Sequence, residues 1–171
     1  MEIARIDPPD VGGEEEMLLA WLDYHRATLE LKCAGLDQEA LSRQSVPPSD
    51  LSLIGIVRHM TEVERRWFEG RFLGEEIESP YQRPDSPNAA FAEAAAGDAK
   101  AELAAFRAQC ARSREIVAAA ESLEQRAPRP SGRRLIQPNL RYVLVHLVEE
   151  YARHNGHADL LRETIDGSVG V

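Results

Sequence analysis

The segment LRYVLVHLVEEYARHNGHADLLRE, near the end of the chain, concentrates the side chains best suited to chemistry. At about 100° per residue of an α-helix, Leu140, Leu144, Leu147, Tyr151, Ala158, Leu161 and Ile165 fall on one side. His154 projects into that arc and Glu150 lies at its edge; as i, i+4 neighbours they can converge on one point. A carboxylate and an imidazole turned toward a core are costly unless paired or coordinated. A divalent cation would satisfy both. Two ligands one turn apart cannot enclose an ion, so a third must come from another helix. His59, flanked by Ile56 and Val63, borders an apolar face and is the best candidate. Glu62 is expected further out and is the weaker choice.

Plainer readings of the same residues stand beside this one. A histidine on an apolar face is more often a satisfied core residue than a ligand. Glu150 and His154 alone fit an intrahelical hydrogen bond equally well. His146 and His157 extend the row but fall further round toward solvent, and Glu149 and Arg153 read as surface charges. His25 lies in a stripe with Leu22 and Leu29, as an extra ligand, a partner to one, or a buried hydrogen-bonded residue. Trp21 and Trp67 are most simply core, and Arg133 and Arg134 solvated loop charges that could attract an anionic substrate.

Four long periodic stretches must position these groups. The first spans about Glu14 to Ala34, is stopped by Gly35, and carries Leu18, Leu22, His25, Leu29 and Cys33 on one stripe. A short turn around Asp37 to Leu41 follows. Pro47 and Pro48 mark a boundary, with Ser49 or Asp50 available as an N-cap. The second helix runs from about Leu51 to Phe72, with Leu53, Ile56, Val57, Met60, Val63 and Trp67 on its apolar face. The connection from Glu75 to Asn88 contains Pro80, Pro84 and Pro87 and is long for neighbouring helices; it either crosses an end or reaches over a site. The third helix is expected from Ala89 to Leu123, with a break near Gly97 and Asp98. The fourth runs from Pro138 or Asn139 to Ile165, closed by Gly167. This pattern predicts one all-α domain over residues 1–171, a four-helix bundle.

Composition narrows the function. Of 171 residues, 43% are hydrophobic, too many for a disordered chain. The formal net charge of -9 argues against nucleic acid and anionic membranes as partners. Two cysteines, Cys33 and Cys110, form no C-x-x-C pair and are expected as reduced thiols. The acidic, proline-broken opening MEIARIDPPDVGGEEE does not resemble a signal peptide, and no run of eighteen apolar residues is present. A cytoplasmic location is expected.

The segments IGIVRHMTEVERRWF, YVLVHLVEEYARHNGHADLLRETIDG and AWLDYHRATLELKCAGL resemble the DinB-like superfamily, in its actinobacterial branch labelled DUF664 or mini-circle protein. The likeness covers nearly the whole chain. It implies a DinB/YfiT-like four-helix bundle with a long crossover between helices 2 and 3, often dimeric. It also implies a divalent metal on one histidine of the second helix, matched by His59, and two residues of the fourth. That pair is commonly two histidines, the second followed by a polar residue and glycine. H-N-G fits at His154, Asn155 and Gly156, but Glu150 stands where the first histidine would be. The related mycothiol-dependent maleylpyruvate isomerases use a His/Glu/His set, which keeps zinc compatible. His157 has no counterpart among the usual ligands and is assigned to the surroundings of the metal or substrate.

Two imidazoles and a carboxylate with an open position suit catalytic Zn, and also Fe or Ni. The resemblance further implies a mycothiol-type thiol cosubstrate. The expected function is a metal-dependent thiol S-transferase acting on a small electrophile, in a homodimer. The alternatives are a non-catalytic metal-binding or stress-response bundle, and a metal-dependent hydrolase. If the imidazoles of His59 and His154 lay more than about 5 Å apart, two Zn–N bonds could not join them.

Overall fold

The computed structural model describes residues 3–83, 85–86, 88–132 and 135–170; Pro84, Pro87, Arg133 and Arg134 lie outside the described residues. The chain is all-helical, with no strand among those residues. Helix α1 is Glu14–Cys33 and α2 Gln38–Ser42. Helix α3, Leu53–Arg65, continues as a π-helical segment, Arg66–Leu73. The short α4, Ala89–Ala92, and a 3-10 turn, Ala94–Ala96, precede α5, Ala99–Ala118, and α6, Leu140–Asp166. None of the helices is long and apolar enough to cross a membrane.

Local signals explain most boundaries. Three glutamates open α1, where negative charge suits the helix dipole, and Gly35 follows it at φ +76°. Helix α3 starts two residues later than expected. Ser49 Oγ instead accepts from Leu51 N–H, and Ser52 caps the helix by accepting from Gly55 N–H at 3.1 Å. The expected third helix is broken where Gly97 and Asp98 predict, since Asp98 caps α5 by accepting from Lys100 N–H at 2.9 Å. Helix α5 ends at Ala118, short of Leu123, because the chain turns into a tight stretch in which Gln125 accepts from Glu121 N–H. Asn139 caps α6 and Gly167, at φ +80°, closes it.

Side-chain pairings give the directions. His59 meets His154 and Trp67 meets His146, so α3 and α6 are antiparallel. Arg58 pairs with Glu102, and Glu69 accepts from Gln109, so α3 and α5 run the same way. Arg141 reaches Glu14 and Asp159 reaches Lys32, making α1 and α6 parallel. The α3–α5 connection must therefore climb back along α3. It does so with Tyr81 over the Arg58 guanidinium at 4.4 Å and Gln82 N–H donating to Glu62 at 3.2 Å.

The apolar stripes expected on α3 and α6 are buried, including Leu53, Ile56, Met60, Val63, Trp67, Leu144, Leu147 and Leu161. Trp21 is a correction: it is 42% exposed, with Tyr24 edge-on to its ring and His25 tilted beside it on α1. Both cysteines are buried and free. Burial pushes the Cys33 thiol up to about 12.

A buried ion pair joins the helices. Glu64 of α3, fully buried, accepts from Arg26 Nε and Nη2 of α1, each at 2.8 Å, and from the Tyr151 hydroxyl of α6 at 2.8 Å. Cys110 of α5 lies 3.9 Å from the same carboxylate. Arg26 also donates to Asp23, which Arg114 of α5 holds from outside. Removing one partner of such a pair leaves an uncompensated buried charge, whereas replacing both does not. Arg26→Met should therefore cost about 3–5 kcal/mol, and the double change Arg26→Met, Glu64→Leu much less. Urea unfolding of the three proteins checks this; equal losses in the single and double variants would refute the account.

Candidate metal centre

The antiparallel contact of α3 with α6 brings the three sequence-selected side chains together. One ligand atom from each of His59, Glu150 and His154 lies within 4.8 Å of the other two, and the two imidazole centroids are 4.7 Å apart. His154 Nε2 stands 3.7 Å from Glu150 Oε2. His154 is buried, whereas His59 and Glu150 are half-buried, so the cluster sits at the edge of the core.

Burial sets the charge states. Desolvation, reinforced by the neighbouring His59, brings His154 down to about 4 and outweighs the favourable Glu150 charge. Desolvation also lowers His59. Glu150 is also lowered, which for a carboxylate favours the charged form. The His146 imidazole is the main cause of its lowered pKa, helped by His154 and His59 and opposed by burial. Near neutral pH the trio is two neutral imidazoles and one carboxylate, the protonation states that metal ligands must have.

The surroundings orient these groups. His157 Nδ1 lies 3.4 Å from His154 Nδ1, on the far side of the ring from Glu150, so it can fix the tautomer that leaves Nε2 unprotonated. The Phe91 ring of α4 covers His59 at 5.1 Å. Gly55 permits that approach: a Cβ there would lie 3.2 Å from Phe91 Cδ1. The connection thus runs beside the site and lays one aromatic ring on it.

The remaining sequence candidates are placed elsewhere. Asn155 of α6 holds half-buried His25, donating to its backbone carbonyl at 3.0 Å with its ring nitrogen 3.3 Å away, outside the trio. Glu62 is not further out; it is buried, and desolvation raises its pKa. It serves the connection, accepting from Gln82, because the chain climbing along α3 covers that face. Sequence reasoning set His146 toward solvent, yet its Nε2 is 3.3 Å from Glu150 Oε1. Phe91 was also missed, since no periodicity links a short turn after a long connection to a residue thirty-two positions earlier.

A cavity of about 580 Å³ lies between α1 and α5, lined by Tyr24, Arg26, Cys110 and Arg114. None of the trio lines it.

A protein-family model described as Mycothiol-S-transferase matches residues 17–167, a span that includes all three residues. No curated protein and no solved structure matches the chain.

A pH prediction follows from His154. Its folded pKa, about 4, is below the unfolded value near 6.5, so the unfolded chain binds the extra proton first. Chelator-treated protein should hold its stability above that range and lose it as pH falls from about 6.5 to 4, on the order of 3 kcal/mol from this group. Denaturant midpoints across that range should fall less steeply in His154→Gln. Identical slopes would show that the group contributes nothing.

Proposed function

The chain belongs to the mycothiol S-transferase family, and on that premise we propose that it is a metal-dependent thiol S-transferase built as a DinB-like four-helix bundle. It would join a mycothiol-type thiol to a small electrophile. One observation carries the metal half of this reading: two imidazoles and a carboxylate, drawn from two helices, each offer a ligand atom within 4.8 Å of the other two.

His59, Glu150 and His154 would hold the cation. Two nitrogens and one oxygen suit Zn first, with Ni or Fe as other occupants. A divalent cation there would supply the positive charge that favours the thiolate form of a bound thiol at neutral pH. Glu150 offsets one unit of that charge, so the site keeps net attraction for an anionic sulfur. His157 holds the His154 ring from behind, and Phe91 limits water at the His59 face. In the transfer, sulfur bonds to the electrophilic carbon, the bond to the leaving group breaks with its electron pair, and the thiol proton passes to solvent.

The same reading places the protein in the cytoplasm. It also makes the protein a homodimer, for which exposed Trp21, Tyr142, Val145 and Leu160 offer apolar contact on α1 and α6.

Protein purified without a histidine tag should contain close to one divalent cation per chain by elemental analysis. Glu150→Ala should lower that content about tenfold or more, while a bystander would leave it unchanged. Mycothiol consumption with a monochlorobimane-type electrophile should be chelator-sensitive and fall with the metal content. Metal without loss of mycothiol, glutathione or bacillithiol would favour a non-catalytic binding protein. Absence of metal would remove the metal centre from the account altogether.

A further inference from the structure

Glu150 shows its two oxygens to different neighbours. Oε2 faces His154 Nε2 at 3.7 Å, while Oε1 faces His146 Nε2 at 3.3 Å. The residues 146, 150 and 154 form an i, i+4, i+8 row, so the three side chains are stacked along one face of α6. His146 is itself walled in. Its ring centroid is 4.2 Å from that of Trp67 and nearly parallel to Tyr142, 11° between planes. Trp67 is clamped on another side by the Arg71 guanidinium at 4.1 Å. A column of Arg71, Trp67 and His146 therefore ends on the carboxylate.

We infer that His146 is a positioning residue for the metal trio: by occupying Oε1 it turns Oε2 alone toward His59 and His154. This rests on the metal reading above. A glutamate at the edge of a core has three side-chain torsions and water within reach, so without a fixed partner it samples orientations that leave the site. Outer contacts that fix a ligand's direction typically carry about 10- to 100-fold in metal affinity.

Another arrangement uses the same atoms. His146, Glu149 and Glu150 also offer ligand atoms within 4.8 Å of one another, so His146 could itself be a ligand of a second cation. The geometry disfavours this. Glu149 is about half exposed and already engaged by Arg153, and all three groups come from little more than one helical turn.

Full-length wild type, His146→Leu and His146→Gln separate the cases. The measurements are Zn affinity against a chromophoric chelator, the visible spectrum of the Co(II)-loaded protein, and the unfolding midpoint in chelator. His146→Leu should bind one Zn about 10- to 100-fold more weakly, with an altered Co(II) spectrum and a nearly unchanged metal-free midpoint. His146→Gln, whose carboxamide N–H can still donate to Oε1, should recover most of the affinity and the spectrum. Should His146→Leu not fold, His146→Met carries the same comparison. Equal affinity and superimposable spectra in the apolar variant would overturn the proposal. So would two equivalents of Zn in wild type falling to one in the variant, which would make His146 a ligand. A wild type that takes up no Zn would sink the metal reading and this inference together, a result distinguishable because it needs no variant.

Discussion

The arrangement depends on the buried carboxylate of Glu64. Taken out of water it requires a positive charge and further donors, and it takes them from two helices: the Arg26 guanidinium and the Tyr151 hydroxyl. Those bonds are directional, so they constrain rotation and slide in a way that apolar packing does not. Glu64 is five residues beyond His59 on α3, and Tyr151 three residues before His154 on α6. Because the helices are antiparallel, the bond that satisfies Glu64 also brings the two imidazoles level. The structural contact and the candidate site share one register.

Chain direction accounts for the rest of the site's wall. With α3 and α5 parallel, the connection between them has to retrace the length of α3, and its length follows from that path. On the way it supplies partners to two buried polar groups of α3: Gln82 N–H donates to Glu62, and the Glu93 carbonyl accepts from Arg58, which also pairs with Glu102 of α5. It then meets α3 at Gly55, where a Cβ would lie tightly against Phe91, 3.2 Å from its Cδ1. A sequence feature that looks like an irregular insertion is thus a covering layer with specific anchors.

Much of this was legible in the sequence, and the failures share a cause. The stripes on α3 and α6 could be read because apolar residues recur at helical spacing, and the same phase placed His59 and His154 inward. Periodicity treats charge as a marker of solvent, which hid Arg26 and Glu64, charged residues that are buried because they have each other. Glu62 failed likewise, since the covering segment comes from outside its helix. Trp21 failed in the opposite direction, its size suggesting core although its position on α1 faces out. The pairing of His146 with Glu150 was implicit in their i, i+4 spacing, but the wall that makes the pairing matter, Trp67, lies on another helix. Helix phase is local information; what covers a face is not.

The two inward glutamates show how environment divides identical chemistry. Glu64 is saturated: an arginine takes both oxygens and a tyrosine shares one. No vacancy remains for a ligand, and its role is mechanical. Glu150 has no Lys or Arg partner among the described residues, only imidazoles: His146 on one oxygen, His154 by the other and His59 nearby. Burial keeps His154 and His59 from becoming the compensating cations, because it disfavours their charged forms. A negative charge at the edge of the core, beside two imidazoles whose charged forms burial disfavours and without a Lys or Arg partner among the described residues, is an electrostatic deficit that a small external cation would relieve. The core pair solves the same problem internally, and the difference between the two solutions separates scaffold from candidate site.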